Sequence, residues 1–416
     1  MRVLIAFQGR NESCYGMAPL GWALRTAGHE VWVAGQPDAT DLVADTGLTM
    51  VPLGRDNLTR YFKKSMTGLA GGADESENAS QLPEELSWDD LRQWYRRAVP
   101  GWWKVINEPM LADLTAFCQE WRPDLVLWEQ GTYAAPIAAQ ACGAAHARVV
   151  WSVDVFARLR DRFLELMAER DEPGQEDLLG RWLGSRAAAH GQEFSEELTR
   201  GHFTVDCFPA SLALPRRGSL TRVPVRYVPY SGRAILPAWL REEPERPRVA
   251  VCLGSAEAEA AASPAPPQAL LEALAGLDVE VVVTAADAAE DELPALPGNV
   301  RVTDSVPAHQ LAPSCAAMVN YGDPGMVCTA LLYGVPQLVV PVADPDSPLL
   351  ARAVTAGGAG AALTGAGQVA ERVAALLREP AYRLGAERVS AEIRAMPAPN
   401  DVVTEIEELT AKHRAR

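Results

Sequence analysis

The chain opens on an unbroken apolar run, Val3-Leu4-Ile5-Ala6-Phe7. A run with no polar alternation is the pattern of a strand covered on both faces, as in a parallel sheet. The polar stretch Gln8 to Tyr15 reads as a loop. Met17 to Ala27 then carries apolar residues at helical spacing and stops at Gly28, a favourable helix terminator. Glu30 to Ala34 follows as a second strand, and this strand–helix–strand unit predicts a sheet wound from parallel strands.

The same pattern recurs along the chain. Asp124 to Trp128 and Arg148 to Trp151 read as strands, with a helix over Tyr133 to Ala141 between them and a mostly helical stretch over 155–200. Six aromatics (Trp88, Trp94, Tyr95, Trp102, Trp103 and Trp121) lie on a helical pattern over 88–121, and the Gly-, Ser- and acid-rich 66–87 reads as a mobile surface loop. Seven prolines between Pro209 and Pro247 break the pattern and mark a linker. It then restarts, with strands at Val249–Leu253, Val279–Thr284, Val300–Thr303, Ala316–Val319 and Leu338–Val342, and helices at Pro267–Leu274, Val327–Tyr333 and Pro348–Ala356.

The expected architecture is therefore α/β, with two doubly wound, Rossmann-like parallel-sheet domains facing across a cleft. Residues 1–215 form the first, 216–246 the linker and 247–385 the second, while 386–416 is a terminal helix bracing the first. In open α/β sheets ligands sit beyond the carboxyl ends of the strands.

Composition narrows the function. The 416 residues carry a net charge of -16, which disfavours nucleic acid and anionic membranes as partners. The seven cysteines are dispersed with no CxxC pair and the histidines show no metal spacing, as in a reduced, cytoplasmic, metal-free protein. No signal segment or membrane-length apolar run is present, and neither half carries GxGxxG after its first strand, so a dinucleotide cofactor is not expected.

Several stretches carry a resemblance: RVLIAFQGRNESCYGMAPLGWALRTAGHEVWV over 2–33, DLVLWEQGTYAA over 124–135, HARVVWSVD over 146–154, YVPYSGRAILPAWL over 227–240 and TDSVPAHQLAPSC over 303–315. Together, in this order, they resemble the GT-B glycosyltransferases of actinomycete macrolide and anthracycline tailoring. The resemblance implies transfer of a deoxysugar from a dTDP-sugar, a co-substrate rather than a cofactor, to a hydrophobic polyketide or aromatic aglycone. The first domain would bind the aglycone, with the 88–121 aromatics lining its pocket or simply packing the core, and the second the nucleotide sugar.

The chemistry needs a base for the acceptor and donor groups for the departing diphosphate. In the family a His follows the first strand, and here Ser13 stands at that position, with no basicity of its own near neutral pH. Glu129 and Asp154 each end a strand and are the carboxylates able to substitute, suited to a phenol or an activated ring carbon. A helix cap or loop acid is the ordinary alternative for both.

The family's diphosphate loop, His-His-Gly-Gly-Ala-Gly-Thr, is replaced by Asn320-Tyr321-Gly322-Asp323-Pro324-Gly325-Met326. Asn320 lacks the charge of the phosphate-binding His, and Asp323-Pro324 is a strong helix-start pair that satisfies its own helix. A carboxylate about 4 Å from a phosphate costs roughly 1 kcal/mol in water and a few times more near a protein surface. Other donor positions implied by the resemblance are Ser231, Gly232, Ser255, Val306, His309 and Asp346, with Asn320, Gly322 and Gly325 in the loop itself. Three readings stand open: a transferase with an atypical site, a degenerate relative that assists a second glycosyltransferase or carries the aglycone, and a cleft turned to non-glycosyl chemistry. A homodimer is a further expected assembly.

Overall fold

The computed structural model describes all residues except 9–10, 57–80, 171–174, 216–217, 255–262, 286–297, 304–305, 343–344 and 415–416, so most of the expected 66–87 loop lies outside the described residues. Contacts divide the chain into two units. One comprises Met1–Cys207, Leu214–Arg226 and Pro397–Arg416, and the other Phe208–Ala213 and Tyr227–Met396.

The first unit is built on seven parallel strands: β1 (Arg2–Ala6), β2 (Glu30–Gly35), β3 (Thr49–Pro52), β4 (Leu125–Glu129), β5 (Ala145–Val150), β6 (Phe203–Asp206) and β7 (Arg222–Pro224). Their order is β3-β2-β1-β4-β5-β6-β7. Leu4 pairs with Trp32 on one side and Val126 on the other, so β1 is central, and its apolar run is fully enclosed. The helices that matter for the site are α1 (Asn11–Thr26), α2 (Trp88–Ala98), α3 (Lys104–Trp121), α4 (Ala134–Cys142) and α5 (Val155–Ala168). A π-helical turn, Val99–Trp103, joins α2 to α3 at Pro100-Gly101, where proline withholds an N–H from the helical ladder.

The second unit repeats the plan with β8 (Arg248–Gly254), β9 (Glu280–Ala285), β10 (Val300–Thr303), β11 (Cys315–Asn320), β12 (Gln337–Val339) and β13 (Gly360–Ala362). Their order, β10-β9-β8-β11-β12-β13, is again all parallel. Helices α6 (Pro324–Leu332) and α7 (Ser347–Ala356) follow β11 and β12. Each sheet contains the 3-2-1-4-5-6 order of doubly wound nucleotide-binding folds, whose crevice opens where the winding reverses, between the first and fourth strands. Glu129 ends the fourth strand of one sheet and Asn320 the fourth strand of the other.

Two expectations need correction. Gln8 to Tyr15 is not all loop, because α1 begins at Asn11. The terminal helix expected over 386–416 is two helices, Pro380–Ala395 and α8 (Val403–His413), parted at the Pro397 and Pro399 segment because proline cannot continue a helix.

Candidate functional site

In the first unit the chain leaves β4 at Glu129 and turns sharply through Gln130-Gly131-Thr132 into α4. Glu129 is 3% exposed. One carboxylate oxygen accepts the Gly131 N–H at 3.0 Å, and the other accepts the Thr132 hydroxyl. The turn is pinned from behind by Asn107 on α3. Its Nδ2 donates to the carbonyls of Trp103 (2.8 Å) and Gly131 (2.9 Å), and its Oδ1 accepts the Ala134 N–H at 2.8 Å. A Cβ on Gly131 would meet Gln8 Nε2 at 2.9 Å and Glu129 Oε1 at 3.3 Å, so these side-chain ends would have to shift to admit one. Gln8, at the end of β1, is thus part of the same switch-point cluster.

Asp154 is placed differently. Arg148 grips both of its oxygens at 3.0 and 2.9 Å, and Arg222 adds a bond at 2.8 Å while also holding Asp206 at 3.0 Å. Burial pushes the Asp154 carboxyl up, but the two guanidinium charges and their hydrogen bonds outweigh it and hold it below the usual carboxylate range. A carboxylate so held takes up a proton poorly, and its evident work is to neutralise the enclosed Arg148 and the half-buried Arg222. Ser13 lies in the first turn of α1, and its side chain is outside the described residues.

In the second unit the loop after β11 closes on itself. Asn320 is fully enclosed. Its Nδ2 donates to Gln337 Oε1 at 2.9 Å and its Oδ1 accepts the Gly322 N–H at 2.9 Å. The amide expected to face a phosphate is therefore spent inside the fold. Asp323 caps α6, accepting the Met326 N–H at 2.9 Å, with Pro324 in the first turn, as the Asp-Pro pair predicts. Gly322 adopts φ +78°, and a Cβ on it would lie 2.2 Å from Ser347 Oγ. That hydroxyl donates to the Tyr321 carbonyl at 2.8 Å and accepts the Val342 N–H at 3.1 Å, which brings Asp346, 8% exposed, to the same switch point.

Gly325 accepts the Tyr227 hydroxyl through its carbonyl at 3.2 Å, tying the segment that carries Ser231 and Gly232 to the start of α6. Gly232 sits at φ +71° in a turn. Val306 is buried, and His309 lies three residues on in a short helix. Burial lowers the His309 pKa, which keeps the imidazole neutral, and its Nδ1 is enclosed with no hydrogen-bond partner among the described residues. Ser255 lies outside the described residues. Sequence reasoning missed Asn107, Arg148, Arg222, Gln337 and Ser347. Only Asn107 left a local trace, as an amide in the apolar stretch of α3.

Two sheets of this winding order, each with a polar turn at its switch point, are the architecture of the GT-B glycosyltransferases. Residues 22–254 match the family described as erythromycin biosynthesis protein CIII-like, N-terminal domain, and residues 268–409 match its C-terminal domain. The whole chain is 39% identical to TDP-daunosamine transferase DnrS of Streptomyces peucetius, covering 98% of it. It is also 39% identical over its full length to the 10-deoxymethynolide desosaminyltransferase of Streptomyces venezuelae, again covering 98% of that protein. The crystal structure of the glycosyltransferase VinC in complex with dTDP superposes with a TM-score of 0.86 at 34% identity, covering 99% of this chain and all of VinC. The chain belongs to the erythromycin biosynthesis protein CIII-like family of antibiotic glycosyltransferases.

Proposed function

We propose that this protein transfers a deoxysugar from a dTDP-sugar to a hydroxyl of a polyketide-derived aglycone, with Glu129 as the base. The acceptor oxygen gives its proton to the Glu129 carboxylate and attacks the anomeric carbon. The bond from that carbon to the diphosphate oxygen breaks, and dTDP leaves with the electron pair. The observation that carries this reading is the carboxylate fixed at the switch point of the first sheet, in a chain similar over its whole length to deoxysugar transferases. Asp154 takes a supporting part, and Ser13 is not required for proton transfer. On the donor side, Val306 and His309 would meet the base and Ser231, Gly232 and Ser255 the nucleotide. The backbone of Gly322 and Gly325 would meet the diphosphate, and Asp346 the sugar hydroxyls. VinC, a relative of 34% identity, was crystallised with dTDP, which supports the choice of nucleotide.

A second reading is favoured by one observation: Asn320 and Asp323 satisfy the diphosphate loop from within. On that reading the protein assists a second glycosyltransferase, or its own second copy, or carries the aglycone. Incubation with dTDP-sugars and aglycones, scored by dTDP release and product mass, separates the two. A parallel thermal titration adds the donor side, since dTDP at 100 times its dissociation constant stabilises the fold by about 2.7 kcal/mol. Product with a shift supports the transferase, and silence in both assays supports the assistant.

A further inference from the structure

None of the seven cysteines is in a disulfide, and six of them are buried. Burial pushes the thiols of Cys14, Cys207 and Cys315 up to about 12 and that of Cys252 up to about 11. Such thiols rarely form the thiolate that reacts. Cys142, the last residue of α4, is the exception. It is half-buried, and its thiol is hydrogen-bonded to that of Cys118 in the last turn of α3. That bond does most to hold the Cys142 thiol below its ordinary value; burial opposes it, and the N–H groups of Ala144 and Cys142 add to it. Cys118 is fully enclosed, and its own thiol is pushed up first by the same bond and then by burial.

The fold puts the two sulfurs together for a visible reason. Helix α4 encloses Ala135, Ala138 and Ala139, and side chains this short let α3 run close beside it. At the other end of the same helix pair, Asn107 of α3 accepts the Ala134 N–H of α4 and donates to the Gly131 carbonyl. The chain between the two cysteines contains all of β4 and the Glu129 turn. We propose that Cys118 and Cys142 are a redox pair, in which a hydroperoxide drives closure of a disulfide that staples α3 to α4. The pair stands apart from the transfer reading, since Glu129 need not be a base for the staple to close.

The two residues divide the chemistry. Cys142 is the sulfur that solvent reaches, and its thiolate attacks one peroxide oxygen. The O–O bond breaks, the leaving oxygen takes up a proton, and Cys142 becomes a sulfenic acid. The Cys118 sulfur, already in contact, attacks the Cys142 sulfur. The S–O bond breaks, and its oxygen leaves with the Cys118 proton as water. Two thiols are oxidised to one disulfide, and hydrogen peroxide is reduced to water. A thiol reductant reverses the closure by exchange. Closed, the staple fixes the ends of α3 and α4 that lie opposite Asn107.

The test treats the native full chain with hydrogen peroxide, unfolds it in excess iodoacetamide and digests it with trypsin. One tryptic peptide, 105–148, carries Cys118 and Cys142 and no other cysteine, because Arg122 precedes Pro123. That peptide is expected to lose two hydrogens and take up no label, while the other five cysteines are labelled in full. Dithiothreitol should restore both labels. Cys118→Ala should leave Cys142 as a sulfenic acid that dimedone traps, and Cys142→Ala should leave Cys118 fully labelled. The oxidised parent should melt about 5 °C or more above the reduced one, from the loop that the staple closes. The proposal is overturned if both thiols of the treated parent still take label, if Cys142 runs on to sulfinic acid without closing, if the pair closes only in urea, or if oxidised and reduced protein melt alike. The parent alone decides each of these, so a variant that fails to fold does not shelter the proposal.

Discussion

Arg148 holds Asp154 through two parallel hydrogen bonds of 3.0 and 2.9 Å while itself being only 1% exposed. The pair joins the end of β5 to the start of α5, and Arg222 extends it across the sheet edge to Asp206 on β6. An enclosed guanidinium that loses its anion keeps its desolvation cost without the compensating attraction. Asp154→Ala is therefore expected to destabilise the first unit by about 3–5 kcal/mol. Chemical denaturation of the purified variant reads this directly, and an unchanged midpoint refutes it. The sign with pH follows from the lowered carboxyl: the contribution is present above the unfolded value near 3.8 and is lost as pH falls through the folded value.

A second pH dependence comes from the histidines beneath the terminal helix. His146 on β5 is enclosed, its ring 4.2 Å from His202, which stacks at 4.8 Å on His413 of α8. Burial first, then the neighbouring His202 and His413, hold the His146 pKa well below 6.5. Glu197, 3.6 Å from His202, is the facing carboxylate that opposes the burial-driven lowering of His202 and His413. Below about 6.5 the unfolded chain binds a proton that folded His146 refuses, so this stability is present above that pH and is lost as pH falls through the unfolded value. Urea midpoints are expected to hold between pH 7 and 8.5, taken as round values on the neutral side of the histidine range, and to fall below it. His146→Gln should flatten the fall by about one proton's worth, roughly 1.4 kcal/mol per pH unit. A variant whose acid limb matches the parent's excludes His146 as a source.

Some of this was legible in the letters and some was not, for reasons that particular residues make clear. The apolar run at β1, the Gly28 terminator, now seen at φ +93°, and the Asp323-Pro324 helix start are all short-range signals. The first turn of α1 carries no such signal, because Asn11 to Ser13 offers no apolar face. What escaped was pairing at a distance. Asn320 finds Gln337 on the next strand, 17 residues on, and Asp154 finds Arg222, 68 residues on. Nothing in the letters around Asn320 or Asp154 announces either partner. Strand order is of the same kind: it sets Glu129 and Asn320 at matching positions in the two sheets, and nothing local to either residue announces it.

The Asp323 cap offers a direct handle on donor affinity. Asparagine caps helices about as well as aspartate, so Asp323→Asn should keep the bond to Met326 and the melting temperature. It removes a negative charge beside the proposed diphosphate position. With repulsion of about 1 kcal/mol in water and up to about 4 near a protein surface, dTDP affinity should rise at least about fivefold. Calorimetry at low and high salt checks this, because the gain must shrink as ions screen the carboxylate. Equal affinity in variant and parent means that the diphosphate does not sit at this loop.

Glu129→Gln bears on the chemistry itself. Glutamine is nearly isosteric, its oxygen can still accept from Gly131 or Thr132, and Asn107 continues to pin the turn, so the fold should survive. The amide cannot take a proton from an acceptor hydroxyl. If Glu129 is the base, kcat for sugar transfer should fall by about 100-fold or more, within the usual range for a lost general base. The KM for the dTDP-sugar should stay put, because the substitution lies in the other unit. A KM effect at constant kcat instead assigns Glu129 to binding. A more acidic phenol supplies a finer check, since an acceptor already ionised at assay pH needs no base. The gap between Glu129→Gln and the parent should therefore narrow as acceptor acidity increases, and a gap independent of acidity would leave the carboxylate a structural part alone.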